Sequence, residues 1–233
     1  MTDVVSTLRD ANMRKRRERI LHAARTLIAA NGFEALNVRA LAAAAGVTVP
    51  TLYNLIGRKE AIVVAMYAET VDELARRIQQ LGGDDPRLQV ESLITVVAEL
   101  FAENEAYARA AVIAVEQLNY TDASRARVAH FYRWGEGVVT DGCRACGEAG
   151  LLRGQVDPAL LGAQIFHTFL RNIRAWAYGH MNLDEFRCTG LIDVYIGLAA
   201  DAVDTFRKRL VRDIDRLAAA CDTPMSNSGE RSS

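Results

Sequence analysis

Positively charged side chains near the N-terminus are the residues of this sequence that most directly suggest a chemistry. Residues 14–17 read Arg-Lys-Arg-Arg, and residues 1–60 carry ten Lys and Arg side chains against five Asp and Glu. The rest of the chain carries 18 basic and 24 acidic side chains. This asymmetry favours a polyanionic partner such as duplex DNA, whose phosphates bind guanidinium and ammonium groups. The candidate phosphate contacts are Arg14, Lys15, Arg16, Arg17, Asn37, Arg39, Arg58 and Lys59.

Residues 48–54 offer a second set of side chains, which suit the recognition of base edges. Thr and Asn side chains hydrogen-bond to bases, whereas Val and Pro side chains contact the methyl group of thymine. The hydroxyl group of Tyr53 is also able to donate to a phosphate oxygen. The candidate base-reading residues are Thr48, Val49, Pro50, Thr51, Tyr53 and Asn54.

Motifs for catalysis or metal binding are weak by comparison. Cys143 and Cys146 form a single C-x-x-C, which is half of a redox or metal site, but a second C-x-x-C does not occur in the sequence. Their three-residue spacing places both thiols on one helix face, which favours inert helical cysteines. The histidines have no ligand spacing such as H-E-x-x-H, and the sequence has neither a phosphate-binding glycine loop nor a G-x-S-x-G elbow. No catalytic residue, cofactor or metal site is therefore predicted.

The elements that would position the basic residues are short helices. Residues 14–31 have one apolar face at helical spacing, from Ile20 to Ile28, and Asn31-Gly32 is a stop signal. Residues 1–13 are expected to form a flexible polar arm ahead of this helix.

Residues 37–55 have the order of features that a helix-turn-helix requires. Asn37 is placed to cap a short alanine-rich helix over 38–45, and Gly46 makes the turn. Val47 is expected to fill the space between the two helices, and Thr48 to cap a third helix over 49–55 that fits the major groove.

Further helices are expected at 58–80, 86–104, 105–119, 123–149, 158–180 and 184–220, with a bend or break where glycines interrupt 123–149. Since period-two alternation is missing from the sequence, the predicted fold is all-α. It has an N-terminal three-helix helix-turn-helix DNA-binding domain and a C-terminal helical ligand-binding and dimerisation domain. The predicted segments are the arm (1–13), the DNA-binding domain (14–60), the effector and dimerisation domain (61–220, with 58–80 as connecting helix) and a disordered tail (221–233).

The stretch AANGFEALNVRALAAAAGVTVPTLYNLIGRKEAIVVAM resembles the DNA-binding head of the TetR family of transcriptional regulators. It has N-G-[FY], a helix ending in A-G-V, then T-L-Y and K-E-A-[IL], in that order. The resemblance implies a helical dimer, an effector pocket in the C-terminal domain and release from DNA when the ligand binds. It also implies that Tyr53 and Lys59 contact phosphate and that residues 48–54 read bases. Ile56, where the family usually has an aromatic residue, and Arg58, where it usually has a capping Ser or Asn, depart from the pattern.

Aromatic residues are concentrated in the C-terminal part, where ten of the 16 lie between residues 100 and 180. Polar side chains are mixed among them, and a small-molecule pocket is typically apolar with a few placed polar groups. An ordinary hydrophobic core would give the same pattern, so the pocket itself is implied by the family resemblance. The candidate ligand contacts are Phe101, Tyr107, Asn119, His130, Phe131, Trp134, Phe166, His167 and Phe169.

The last two predicted helices are the candidates for dimerisation. The lead-in G-L-L-R-G-Q-V-D-P-A-L-L resembles the segment that precedes the first dimer helix of the family. Two reading heads about 34 Å apart would match successive turns of a palindromic operator. The same apolar stripes would also suit the interior of a single subunit. The stripe residues are Leu161, Ile165, Phe169 and Trp176 on the first helix, and Leu191, Val194, Leu198, Ala202 and Phe206 on the second.

Together with these features, the resemblance to the TetR family implies a homodimeric repressor that a small apolar or amphipathic ligand releases from double-stranded operator DNA. The alternatives are a DNA-binding protein without an effector and, less well supported, a thiol- or metal-dependent enzyme. No run approaches the roughly 18 apolar residues that would span a bilayer, and no secretory signal core is present at the N-terminus. A cytoplasmic protein without a membrane partner is therefore expected.

Overall fold

The computed structural model of the chain describes residues 2–33, 35–81, 83, 85–118 and 122–221. Over these residues it has ten helices and no strand longer than an isolated bridge, so the all-α prediction is confirmed. The helices are α1 (Thr2–Asn31), α2 (Val38–Ala44), α3 (Val49–Leu55), α4 (Lys59–Leu81), α5 (Pro86–Glu103), α6 (Glu105–Leu118), α7 (Asp122–Glu148), α8 (Pro158–Ala177), α9 (Leu183–Ala199) and α10 (Asp204–Cys221).

The first helix is longer than the sequence suggested. The expectation of a flexible arm over 1–13 is wrong for residues 2–13, because α1 already begins at Thr2. Neither Gly nor Pro occurs before Gly32 in this stretch, so the helix meets no backbone obstacle on the N-terminal side of Arg14. The predicted tail falls on 222–233, which lie outside the described residues, whereas Cys221 is the last residue of α10.

The chain divides into two compact units. The first unit comprises residues 1–82, 99–134 and 177–180, and the second unit comprises 83–98, 135–176 and 181–233. The first unit is larger than the predicted DNA-binding domain because α6 shares its core: Tyr107 and Ala110 pack against the buried cluster that includes Ile20, Leu41 and Leu52. The functional division at residue 60 stays a prediction.

The expected break in the 123–149 helix is wrong, because α7 runs without interruption, while the alternative of a bend stays a prediction. In the second unit its glycines allow close packing instead. A Cβ atom on Gly142 would lie 2.8 Å from the backbone nitrogen of Val90 in α5. A Cβ atom on Gly162 in α8 would lie 2.7 Å from the Cα atom of Thr140 in α7. Side chains at Gly142 and Gly162 would therefore push neighbouring helices apart.

The single helix expected over 184–220 is also wrong, because it is two helices, α9 and α10. Backbone groups at the junction pair with the loop before α8: the N–H of Arg153 donates to the carbonyl of Asp201 (2.7 Å), and the N–H of Val203 to that of Leu151 (3.0 Å). The buried carboxylate of Asp201 accepts from two further N–H groups of that loop. These bonds replace the helical ones, so the chain turns without Gly or Pro. None of the described helices is both long and apolar enough to pass through a lipid bilayer.

Candidate nucleic-acid interface

The turn between α2 and α3 has the geometry that brings two helices into a fixed angle. Gly46 has a φ of +63°, a left-handed conformation that side chains disfavour, and its N–H donates to the carbonyl of Ala43 (3.1 Å). The N–H of Val47 then donates to the carbonyl of Ala42 (3.0 Å), and the Val47 side chain packs against the core of the first unit. The turn is thus fixed by both backbone bonds and an apolar contact, as the sequence predicted.

Helix α3 is held at its start and at its centre. The hydroxyl of Thr48 accepts from the N–H of Thr51 (3.3 Å), which confirms Thr48 as the N-cap, and it lies 2.8 Å from the Thr51 hydroxyl. Pro50 occupies the first turn, where the absence of an N–H costs nothing. Leu52 is fully buried and attaches the helix to the core. The helix therefore has one fixed inner side and one outer side.

The outer side of α3 carries most of the residues expected to read bases. Thr48, Pro50, Tyr53 and Asn54 are exposed, Tyr53 by 45%, and Thr51 is partly exposed. Val49 differs, because its side chain packs against the core of the first unit. We call Thr48, Pro50, Tyr53 and Asn54 the reading face.

Helix α2 begins beside this face with a second cap. The side-chain oxygen of Asn37 accepts from the N–H groups of Arg39 (2.8 Å) and Ala40 (3.4 Å), as its predicted capping role requires. Since that oxygen stabilises the helix start, any phosphate contact of Asn37 would have to come from its amide nitrogen. Arg39 is exposed.

The predicted phosphate contacts of α1, residues 14–17, are exposed, but two of them already have partners within the protein. Arg14 lies 4.0 Å from the carboxylate of Glu18. The guanidinium of Arg17 donates to the carbonyl of Leu55 (3.1 Å), at the last residue of α3. Lys15 and Arg16 also lie exposed. Arg17 is therefore a positioning residue for the reading face. Its partner lies 38 positions away, so this role could not be predicted from the sequence.

The start of α4 places the other predicted cations. The ammonium group of Lys59 lies over the ring of Phe33, 4.3 Å from its centre, while Arg58 is exposed. Ile56, which stands where an aromatic residue was expected, packs against the core of the first unit. Although Ile56 departs from the family pattern, it still packs the end of α3 against that core.

The N-terminal part of the chain matches a known family. Residues 20–66 match the model of bacterial regulatory proteins of the tetR family. The matched segment holds the end of α1, α2, α3 and the start of α4, so the helix-turn-helix of this chain is similar to that of the tetR family. No curated protein matches the sequence closely enough to count as a relative.

Solved structures of TetR regulators share the fold well beyond the matched segment. A TetR-family regulator from Rhodococcus sp. is 20% identical, with a TM-score of 0.66 over 78% of this chain and 98% of that chain. SmeT, the repressor of a multidrug efflux pump of Stenotrophomonas maltophilia, is 20% identical, with a TM-score of 0.63 over 82% and 92%. FadR of Bacillus subtilis, solved with stearoyl-CoA, is 18% identical, with a TM-score of 0.65 over 76% and 97%. The chain therefore has the TetR-family fold in both its N-terminal and C-terminal parts.

Candidate ligand contacts occur in both units, and in the first unit Phe131 and Trp134 lie next to each other. The ring centre of Phe131 lies 4.9 Å from that of Tyr67 in α4 and 5.8 Å from that of Trp134. Burial raises the pKa of Tyr67 well above its usual value, so its hydroxyl remains a hydrogen-bond donor. Phe101 is buried and Tyr107 is partly buried, whereas His130 lies exposed and Asn119 falls outside the described residues.

The candidates in the second unit are mostly core residues. Phe166 and Phe169 are almost completely buried, and their rings continue a row through Phe186 to Trp176. His167 lies exposed, on another side of α8. Phe166 and Phe169 therefore belong to the hydrophobic core, which was the alternative to a role in ligand binding.

The prediction that the stripe residues form the dimer interface is wrong for most of them, because they are buried inside their own subunit. The second unit instead exposes Leu160 on α8 (66%) and Ile196 on α9 (57%), apart from the core stripes. A search for apolar residues on the polar sides of these helices would have found both. The buried stripe residues are Leu161, Ile165, Phe169, Trp176, Val194, Leu198, Ala202 and Phe206, while Leu191 is partly buried.

The C-x-x-C pair has the character of core thiols. Cys143 and Cys146 are fully buried, and burial raises the pKa of Cys143 to about 12 and that of Cys146 to about 11. Both thiols remain protonated near neutral pH and are poor nucleophiles. Across the described part of the chain, no cluster of three His, Cys, Asp or Glu side chains is arranged to hold a metal ion.

Proposed function

We propose that this protein binds DNA sequence-specifically and regulates transcription, as a member of the TetR family. The observation that carries this proposal is the reading face, whose polar and apolar side chains project from a helix capped by Thr48 and attached by Leu52. A single α-helix fits the major groove, and exposed cations on both flanks of the helix supply the phosphate contacts. The proposed phosphate contacts are Arg14, Lys15, Arg16, Arg39, Arg58, Lys59 and Tyr53.

The protein is further proposed to be a cytoplasmic repressor that a small apolar or amphipathic ligand releases from its operator. Two fold neighbours support this: SmeT is a repressor, and FadR was solved with stearoyl-CoA. The aromatic group of Tyr67, Phe131 and Trp134 provides an apolar surface with a hydroxyl donor, which is the mixture that amphipathic ligands need.

The proposed assembly is a homodimer formed through the exposed sides of α8 and α9. Leu160 and Ile196 supply apolar contacts, and Arg171, which pairs with Asp193 across the two helices at 2.8 Å, supplies a polar rim. A two-fold axis through this surface would present two reading faces to a palindromic site.

Helix α4 is the proposed link between ligand and DNA. At its start, Ile62 and Met66 belong to the core under α3, and Tyr67 follows directly with its ring against Phe131. Arg25 of α1 forms an ion pair with Glu69 of α4, so α1 would follow a shift of α4. Thermodynamic coupling is reciprocal, so the operator must weaken ligand binding by the same factor as the ligand weakens operator binding.

Selection of genomic DNA fragments by the purified protein tests the proposed DNA recognition. The wild type should enrich a short palindromic site, and the Tyr53→Ala/Asn54→Ala variant should not, because both side chains are exposed and their loss leaves the core unchanged. Equal thermal stability of the two proteins is the control. If the wild type enriches no site at moderate salt, the proposal of a specific reader fails.

A ligand test follows on the selected site. Long-chain acyl compounds and hydrophobic antimicrobials are added to the protein–DNA complex, and release is followed by fluorescence anisotropy. A releasing compound should bind more weakly to Trp134→Ala, whose ring contacts Phe131, than to the wild type. Tight operator binding that no compound in either class reverses would favour a DNA-binding protein without such an effector.

A further inference from the structure

A disulfide in the second unit joins two helices near the C-terminal end of the described chain. Cys188, in the second turn of α9, is bonded to Cys221, the last residue of α10, and their Cα atoms lie 6.5 Å apart. The two cysteines are 33 positions apart, and no motif in the sequence pairs them. Nothing in the proposed binding of DNA or ligand uses them.

The two cysteines differ from the other pair in their access to solvent. Cys188 and Cys221 are both partly exposed, whereas Cys143 and Cys146 are completely buried. Small thiols and disulfides in solution can therefore reach the bonded pair and not the C-x-x-C pair. Exposed disulfides of this kind are the ones that exchange readily with solution thiols.

The bond lies in the half of α10 that has no buried side chain. Phe206 and Leu210 anchor the first half of the helix as buried core residues, and Asp213 pairs with Arg87 of α5 (2.7 Å). None of residues 214–221 is buried. The bond to Cys188 therefore holds the last two turns of α10 against α9.

The structure also shows how the reduced pair would be accommodated. The sulfur of Cys188 lies 3.1 Å from the carbonyl oxygen of Leu217, one turn before Cys221. As a thiol, Cys188 is able to donate its proton to that oxygen. Reduction would therefore leave a weak contact in place of a covalent bond, so the end of α10 would be held less firmly against α9.

We propose that Cys188 and Cys221 form a reversible oxidation site whose co-reactant is a low-molecular-weight disulfide. One thiolate attacks a sulfur of that disulfide, forms a mixed disulfide and displaces the first small thiolate. The other thiolate attacks the protein sulfur of the mixed disulfide, forms the Cys188–Cys221 bond and displaces the second small thiolate. The protein loses two electrons and two protons, and the small disulfide becomes two thiols.

Oxidation at this site holds the end of α10 against α9, and reduction releases it. Because the bond closes a 33-residue loop, it also restricts the unfolded chain and raises thermal stability. The increase in Tm is expected to be several degrees, about 5–10 °C. This chemistry is independent of DNA binding, so it can be tested even if the proposed function fails.

The test equilibrates the full-length protein with mixtures of reduced and oxidised glutathione, under native conditions. Oxidising mixtures should lower the intact mass by about 2 Da and yield a proteolytic fragment that links Cys188 to Cys221. Excess reduced glutathione should reverse both changes. Hydrogen exchange at residues 214–221 should be at least about tenfold slower in the oxidised form.

Two variants make the outcome specific. Cys143→Ala/Cys146→Ala should behave as the wild type does, and Cys221→Ser should show neither the mass change nor the slower exchange. The proposal is overturned if the linked fragment contains Cys143 or Cys146, or if the bond forms between two chains. It is equally overturned if the bond survives excess reduced glutathione in the folded protein, or if oxidation leaves exchange at 214–221 unchanged.

Discussion

At the residue scale, Arg17 shows how a cation beside the reading face can stabilise the fold. Its guanidinium donates to the carbonyl of Leu55, where α3 ends and its unsatisfied carbonyls carry partial negative charge. Arg16 is exposed on the same helix, and no contact of this kind is described for it. Comparing the two residues therefore separates the effect on stability of losing a positive charge from the effect of losing the bond to Leu55.

Replacing Arg17 and Arg16 one at a time by Gln tests this distinction. Arg17→Gln should lower the free energy of unfolding by up to about 1 kcal/mol, since the bond is solvent-exposed, whereas Arg16→Gln should leave it unchanged. Urea denaturation measures both. Equal stability of the two variants would mean that the contact with Leu55 does not position α3.

A buried network in the second unit gives a second residue-level prediction. The hydroxyl of Tyr195 donates to the carboxylate of Glu91 (2.9 Å), which also pairs with Arg87 (2.9 Å). Burial raises the pKa of Glu91, although Tyr195 and Arg87 both act to lower it. Tyr195→Phe removes one of these partners from a buried carboxylate and should cost about 1–3 kcal/mol at neutral pH.

The pH dependence of that cost follows from the raised pKa of Glu91. The native state binds the Glu91 proton more tightly than the unfolded state does, so Glu91 lowers stability as pH rises through its native pKa. Tyr195→Phe raises that pKa further. The stability difference from the wild type should therefore shrink as pH falls from about 7 toward 5, and a difference that grows instead would contradict this account of the network.

At the element scale, the sequence predicted the short helices better than the long ones. Asn37, Gly46 and Thr48 act within a few residues, so caps and turn could be predicted from local chemistry. The break between α9 and α10 depends on bonds from Asp201 to a loop some 47 positions earlier, and no local signal marks it. The predicted first helix is too short because residues 2–13 are mostly polar, and polar composition alone does not distinguish a helix from a flexible arm.

The glycines of α7 provide a matched pair for testing helix packing. Gly142→Ala would place a Cβ against the backbone of α5 and should destabilise the protein by about 1–3 kcal/mol. Gly137→Ala meets no atom within 4 Å and should stabilise it by about 0.5–1 kcal/mol. Thermal denaturation of both variants is sufficient, and a stabilising Gly142→Ala would show that α5 and α7 do not approach closely.

At the scale of the whole molecule, the sequence predicted the all-α class and the reading head but misplaced the surfaces of the C-terminal part. Periodicity identifies an apolar stripe without saying whether the stripe meets the subunit's own core or another chain. Val194 and Leu198 belong to such a stripe, and both are core residues of their own subunit. Leu160 and Ile196 lie outside the stripes and are exposed. For the same reason, the aromatic pattern could not separate Phe169, a core residue, from a ligand contact.

The proposed dimer surface is tested by a charge at Ile196. Ile196→Asp should weaken self-association by roughly 30-fold or more. The side chain is exposed in the single subunit, and in the proposed dimer the aspartate would place a charge where the isoleucine makes an apolar contact. Leu88→Asp, at a similarly exposed apolar residue on α5, is the matched control and should leave the dimer unchanged. Sedimentation velocity over a range of concentrations distinguishes the two, and a dimer that tolerates Ile196→Asp would place the interface elsewhere.

The reading face is proposed to recognise a DNA sequence, and the ratio of specific to non-specific DNA affinity tests this recognition most directly. The measurement compares binding to the selected site and to an unrelated duplex at one salt concentration, for the wild type, Asn54→Ala and Arg39→Gln. The wild-type ratio should be about 10³ or more. Asn54→Ala should lower the ratio by about tenfold, whereas Arg39→Gln should weaken both affinities alike and preserve it. A ratio near one for the wild type, or one that Asn54→Ala leaves intact, would contradict this proposal.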